Sequence, residues 1–320
     1  MPIQYTKTRL WLLACALLVA GGCGGKDSSP TGPKDSNPDD SNTPTFDFNR
    51  DLIAFETDRD GNLEIYLTTP DGSESINITK NSATDGDADW SPDGSKIAFA
   101  SNRTGSAEIY VMNVDGTGLV QLTSAAGTDA EATWSPDGTM IAFRSQRVGD
   151  QSDIYRMNAD GSNVVRLTDD PEFDGDPAWS PDGTRIIFSS SRAASNGTEN
   201  DVWAMDATDG GNLVNLTDHP AFDCSPAWSP DGTKISFVTD RDGNDEVYVM
   251  NADGSSPVNL TNSPASSDWA SSWSADGSRI VFDTNRNTHW DIYSAAANGG
   301  GSLVRLTSNS ADDEYPAWRP

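Results

Sequence analysis

Charged residues recur along this chain at fixed distances. Aspartate stands five residues before a tryptophan at Asp85, Asp129, Asp174, Asp223, Asp268 and Asp313. Arginine follows an apolar run at Arg59, Arg103, Arg147, Arg192, Arg241 and Arg286. A second acid precedes an aromatic at Glu64, Glu108, Asp153, Asp201, Glu246 and Asp291. An arginine fork held by carboxylates makes strong, directional hydrogen bonds, so these triplets are read as structural clamps. The alternative is a ring of six aspartates gripping a metal or a basic peptide. The clamp reading ranks first, because charge pairs built into a fold also perturb ionisation and so imitate sites.

Other chemistry is thin. His219 and His289 are the only histidines, and no Gly-x-Ser-x-Gly elbow is present. Two histidines cannot build the usual metal or triad sites, so no catalytic residue is assigned. Asp85-Gly86-Asp87-Ala88-Asp89 has the alternating carboxylates of a calcium loop. However, Trp90 stands where glycine is needed and Lys96 where the closing glutamate belongs. No metal ligands are therefore named. Calcium is the one cofactor that the acidic composition still permits.

The elements that must position these residues repeat with them. The tryptophans are Trp90, Trp134, Trp179, Trp228, Trp273 and Trp318, spaced by 44, 45, 49, 45 and 45 residues. Each unit reads as four short strands. One ends in tryptophan, and after a Ser-Pro-Asp-Gly turn comes an Ile-Ala-Phe strand. An Ile-Tyr-Val-Met strand follows, then one ending in Leu-Thr. Proline presets φ in the turn, aspartate bonds its own backbone and glycine takes positive φ. Four antiparallel strands per unit of this length is one propeller blade.

The fold class is thus all-β, a six-bladed β-propeller with four antiparallel strands per blade. Ile53-Ala54-Phe55 has no tryptophan strand before it, and Trp318 has no apolar strand after it. Tyr315-Pro316-Ala317-Trp318 should therefore close the ring by joining the N-terminal blade, removing open edges. Folding the hairpins back should make one acid–arginine–acid cluster per blade, with Asp313 beside Arg59. The series Tyr66, Tyr110, Tyr155, Trp203, Tyr248 and Tyr293 is read as packing between blades.

Positions that break a repeat are the better functional candidates. On the face where blades connect, blades two and three offer Thr84 and Thr128, whereas later units offer Phe173, Phe222, Trp269 and Tyr315. Neighbouring loops add His219, His289 and Trp290, and blade four carries a longer loop from Ala193 to Asn200. The opposite face shows only tight Asp-Gly turns. An aromatic sector with a polar rim suits a protein or sugar partner, so these seven residues are the candidate partner-binding set.

The chain has 49 acidic and 21 basic residues and a net charge of −28. Such a charge excludes nucleic acid as a partner and opposes docking of the propeller on an anionic membrane. Residues 1–22 have the form of a lipoprotein signal: Lys7 and Arg9, then an apolar run from Leu10 to Ala20 too short to span a bilayer. Val19-Ala20-Gly21-Gly22-Cys23 resembles a bacterial lipoprotein box, which implies cleavage before Cys23 and lipid on it. Gly24, in place of aspartate, implies the outer membrane, facing the periplasm or the cell surface. Residues 23–45 carry no large apolar side chain and read as a disordered Pro/Ser/Asp-rich tether, roughly 70 Å long if extended. Residues 46–320 form the propeller, with membrane contact only through the N-terminal lipid. Cys224 is left without a partner, so no structural disulfide is expected.

Trp-Ser-Pro-Asp-Gly-x-x-Ile-Ala-Phe, then Ser-x-Arg, then Asp/Glu-Ile-Tyr-x-Met-Asn-x-Asp-Gly and Leu-Thr resembles the TolB-type (WD40-like) propeller repeat across residues 50–318. The resemblance implies a periplasmic propeller that binds a lipoprotein partner. The chain departs from the family in having a tether where an α/β domain precedes the propeller, and in its lipoprotein box. The expected function is a lipid-anchored, non-enzymatic scaffold for an envelope or secreted protein. A calcium- or carbohydrate-binding surface module is the alternative, and a propeller-type hydrolase or lyase ranks last.

Overall fold

The computed structural model describes residues 46–149, 151–192 and 199–320. They form six four-stranded antiparallel sheets. In blade two the strands are Asp85–Trp90, Lys96–Ser101, Glu108–Asn113 and Val120–Gln121, in that spatial order. The tryptophan-ending strands of successive blades touch in a closed cycle, and Asp313–Trp318 meets both Asp268–Trp273 and Asp85–Trp90. These strands therefore surround the axis, and the outermost strands, of two or three residues, form the rim.

The period-2 pattern explains the layering. Phe55, Phe99, Phe143, Phe188, Phe237 and Phe282, one per second strand, are fully buried between blades. Each contributes on the order of 1.5–3 kcal/mol by leaving water. Blades approach closely where side chains are absent: a Cβ on Gly210, at φ +74°, would lie 2.0 Å from the Leu167 carbonyl oxygen of the preceding blade. At the turns, Asp182 Oδ1 accepts from Ser180 Oγ at 2.6 Å and from the Thr184 backbone N–H at 3.0 Å. The same bonding holds Asp93 and Asp276 down at about 2, chiefly through hydroxyls and amides of the turn.

Closure comes from the tail. Asp313–Trp318 pairs antiparallel with Ile53–Thr57, with Ile53 opposite Trp318 and Thr57 opposite Asp313. The Trp318 indole N–H donates to Asp51 Oδ1 at 2.8 Å, and the Arg319 amide donates to the Leu52 carbonyl at 2.9 Å. The Arg319 guanidinium lies 5.4 Å from the Trp90 ring centroid, tying blade one to blade two.

Cys23, the signal, the tether and the segment Ala193–Thr198 lie outside the described residues. Cys224 is buried and free.

Candidate functional site

The repeated aspartates and arginines meet in every blade. Arg59–Asp313, Arg103–Asp85, Arg147–Asp129, Arg192–Asp174, Arg241–Asp223 and Arg286–Asp268 pair at 2.8 to 3.1 Å. Antiparallel register makes this happen, since Asp85 lies opposite Ser101, two residues before the arginine. The Arg103 Nε–H also donates to Ser101 Oγ at 2.8 Å. Its guanidinium stacks 5.3 Å from the Phe99 ring and 4.8 Å from the Tyr110 ring. The third-strand aromatic thus serves as the arginine's platform as well as packing, and all six arginines lie over such a pair.

The third member of the expected cluster is elsewhere. Among the described residues, Glu64, Glu108, Asp153, Asp201, Glu246 and Asp291 do not reach the arginine of their own blade. They turn outward to the last strand. Thr123 Oγ1 donates to Glu108 at 2.7 Å, Thr217 to Asp201 at 3.1 Å, and Thr79 and Thr261 bond Glu64 and Glu246. Asp153 and Asp291 pair with Arg166 and Arg305 of the outer strands at 2.8 and 2.9 Å. The reason is positional. The acid opens its strand beside the Leu-Thr terminus, so the threonine hydroxyl and following amides are nearer donors. The cluster is an acid–arginine pair with a separate acid–threonine clasp.

The axis holds a group that the repeat pattern does not single out. Two residues past each aspartate the inner strand bulges, at Asp87, Glu131, Asp176, Ser225, Ala270 and Tyr315, with φ between 32° and 54°. Left-handed backbone costs a non-glycine residue on the order of 1–2 kcal/mol. Bonds between blades offset that cost. Glu56 accepts the Asp87 N–H at 3.2 Å, Asp87 accepts that of Glu131 at 3.3 Å, and Glu131 accepts that of Asp176 at 2.8 Å. Asp176 accepts the Ser225 N–H at 3.2 Å, and Asp283 accepts the Tyr315 N–H at 3.4 Å.

These carboxyls crowd one another. Burial, then the charges of Asp87 and Glu314, pushes Glu56 well above the usual carboxylate range. Burial followed by Glu131 lifts Asp87 to about 7 and Asp176 to about 6. Burial alone lifts Asp89 to about 6, although the Trp134 N–H bonds it at 2.9 Å. Asp87 and Asp176 are only half-buried by surface area, yet protein surrounds them, as a narrow axis requires. Arg144, buried, donates to Glu131 at 2.7 Å. Burial opposes its charge, but Glu131 and Asp87 outweigh that and raise its pKa. Among the described residues, no three histidine, cysteine or carboxylate side chains converge to hold a metal ion.

The aromatic candidates divide. Phe173, Phe222, Trp269 and Tyr315 are half-buried and come from blades four, five, six and one in turn. Phe222 and Trp269 stack at 6.4 Å between centroids. Phe173 folds over Gly175, where an added Cβ would meet its ring at 2.3 Å and Arg144 at 3.1 Å, so it reaches the axial group. His219 is exposed and its Nδ1 accepts the Ala221 N–H at 3.0 Å. His289 Nδ1 lies 3.9 Å from Asp312. Trp290 is 8% exposed and its backbone N–H is bound by Asp312 at 2.9 Å, so it is core rather than a surface anchor. Sequence reasoning missed Glu56, Glu131, Arg144, Asp176 and Asp283, and weighed Asp87 and Asp89 only as part of a calcium loop. The available signal was the breakdown of the repeat two residues after each aspartate.

A profile of the TolB β-propeller domain matches residues 43–189 and 170–320, which together span all six blades. The chain belongs to the TolB β-propeller family. Among solved structures it is similar to TolB from Acinetobacter baumannii, at 25% identity and TM-score 0.75, over 84% of this chain and 67% of that one. A TolB-assigned protein of Agrobacterium tumefaciens shares 21% identity at TM-score 0.66, over 85% and 99%. An oligogalacturonate lyase from Vibrio parahaemolyticus shares the fold at 18% identity and TM-score 0.51, over 80% and 72%. No curated protein sequence matches. The fold is thus shared by proteins named TolB and by at least one named as an enzyme, so the fold alone does not assign an activity.

Proposed function

We propose that this TolB-type propeller is a non-enzymatic scaffold of the bacterial envelope that binds a protein partner across the face where its blades connect. The supporting observation is the run of half-buried rings Phe173, Phe222, Trp269 and Tyr315 on four consecutive blades. Blades two and three have Thr84 and Thr128 in the place of Phe173 and Phe222, and Gly86 and Ala130 in the place of Trp269. Partly exposed aromatics beside fixed charges are the usual anchors of protein interfaces. Against an enzyme, among the described residues the His219 ring accepts a backbone N–H, the His289 ring lies 3.9 Å from Asp312, and neither is bonded to a nucleophile. The anchor through lipid on Cys23 and the outer-membrane location belong to the same proposal. They rest on residues 1–24 and on the resemblance to a lipoprotein box.

The test is crosslinking in cells followed by binding of the captured partner to purified wild-type and Trp269→Ala protein. Tenfold or greater weakening is expected, about 1.4 kcal/mol or more, without loss of fold. A partner indifferent to Trp269→Ala and Phe222→Ala would sink the proposal. Turnover of a peptide or glycan library would restore the enzyme reading. A calcium-dependent rise in melting temperature would add calcium to the scaffold.

A further inference from the structure

The face of tight turns is not uniform. Trp90, Trp134, Trp273 and Trp318 are at most 8% exposed, whereas Trp179 and Trp228 are half-buried. The junction of blades four and five carries a groove of about 630 Å³ whose walls include Pro181, Asp182, Arg185, Trp228, Asp231 and Asp253. Blade three shows one way in which such a junction is filled. In blade three, Arg156 crosses to blade four, where its Nη2 donates to the Thr208 carbonyl at 3.0 Å. The equivalent place on blade four is Ala204, as the pairings Arg156–Ala142 and Ala204–Ile187 show. Alanine, the smallest side chain at this place in the six blades, leaves the next junction without that arginine.

The chemistry of the walls is mixed. Arg185 makes no ion pair among the described residues; its one side-chain bond is a long one, 3.4 Å, to the Asn212 carbonyl. Arg185 Nε and Trp228 Nε1 have no acceptor although both are shielded from solvent. Such orphan donors cost on the order of 1–3 kcal/mol each. Asp182, Asp231 and Asp253 each commit Oδ1 to their own turn, which leaves Oδ2 to accept from a ligand. The groove thus combines an indole and a proline ring, a cation without a counter-ion and three carboxylate acceptors.

We infer that this groove binds a neutral saccharide. A sugar ring has apolar C–H faces for Trp228 and Pro181. Its hydroxyls both donate, to the aspartates, and accept, from Arg185. An anionic ligand would face three aspartates, and a simple cation, though drawn by them, would bring no acceptor for the Arg185 and Trp228 donors, whereas a hydroxyl serves both. The site is separate from the aromatic sector on the opposite face, so either can fail alone.

The test is titration of the purified protein with N-acetylglucosamine trimer, cellotriose and maltotriose, followed by tryptophan fluorescence and calorimetry. At least one should bind with a Kd tighter than about 10 mM. Arg185→Met, which copies Met140 of blade three, should weaken it tenfold or more, as should Ala204→Arg, which rebuilds the crossing arginine. Trp269→Ala should leave it unchanged. Should A204R not fold, R185M decides, because residue 185 lies at the surface. No binding by any of the three sugars, or binding indifferent to R185M, would overturn the inference. So would a peptide that occupies the groove in preference to them.

Discussion

Two halves of the axis share one backbone and differ in what they put on it. In blades two to four the bulge carries Asp87, Glu131 and Asp176; in blades five, six and one it carries Ser225, Ala270 and Tyr315. Both halves hold the same left-handed residue, and the next blade's N–H needs an acceptor. The acidic half meets that need with a carboxylate from the bulge itself. The other half draws on the second strand: Glu56 takes the Asp87 N–H and Asp283 takes the Tyr315 N–H, while Ser236 Oγ holds side chains instead, taking Ser271 Oγ–H at 2.8 Å and the Trp273 indole N–H at 2.9 Å. The acceptor is thus a carboxylate on both sides, and what differs is the strand that supplies it. The surplus acid on one side is an addition to the scaffold, as are the rings on the other.

The largest expected effect comes from removing the cation that makes the acidic half tolerable. Arg144→Met leaves Glu131, Asp87 and Asp176 without their positive neighbour. Breaking a buried pair costs about 3–5 kcal/mol. At roughly 2–4 °C per kcal/mol for a chain of this size, the melting temperature should fall by about 6–20 °C at pH 8. Adding Glu131→Gln should recover a large part. A loss below 1 kcal/mol would show that the two halves do not differ energetically.

The pH dependence is next in size. Glu56, Asp87, Asp89 and Asp176 hold protons more tightly folded than unfolded. Between the ordinary carboxyl range near 4 and about 7 the native state binds more protons, so stability is greatest on the acid side and declines as pH rises through that window. The turn aspartates Asp71, Asp93 and Asp276, held at about 2, act oppositely: stability is lost as pH falls from about 4 toward 2. Melting temperature should therefore peak near pH 4. Asp87→Asn should flatten the alkaline limb, stabilising most at pH 8, less at pH 5 and least near pH 4. A profile unchanged by that substitution would contradict the charged reading of this half.

How much of this could be seen in the residues alone follows from the same geometry. The blades and their closure are legible because Trp-Ser-Pro-Asp-Gly marks a strand end and a turn at once, and Trp318 is left over. The pairing of Asp85 with Arg103 is legible because it depends only on antiparallel register. The outward turn of Glu108 is not, since a threonine 15 residues on competes for it. The axial acids are hidden by the bulge: simple alternation puts Asp85, Asp87 and Asp89 on one face, while the register shift after Gly86 moves Asp87 off it. The open groove is hidden for another reason, because Ala204 matters only through what it fails to fill.

The smallest effect tests whether the boundary between the halves can be moved. Ser225 is the first neutral bulge residue, and its N–H already bonds Asp176 Oδ2 and Ser189 Oγ. Ser225→Asp would extend the acidic run by one blade, where the second strand supplies Val238 in place of Arg144. With no cation added, the new carboxyl and Asp176 should each resist ionising in the presence of the other. A mutual shift of about one pKa unit corresponds to on the order of 1.4 kcal/mol at pH 8 and to almost nothing at pH 5. Ser225→Asn, with equal size and no charge, separates the electrostatic part from any steric one. If Asp and Asn at 225 behave alike at both pH values, the acid on this axis is set by space rather than by charge.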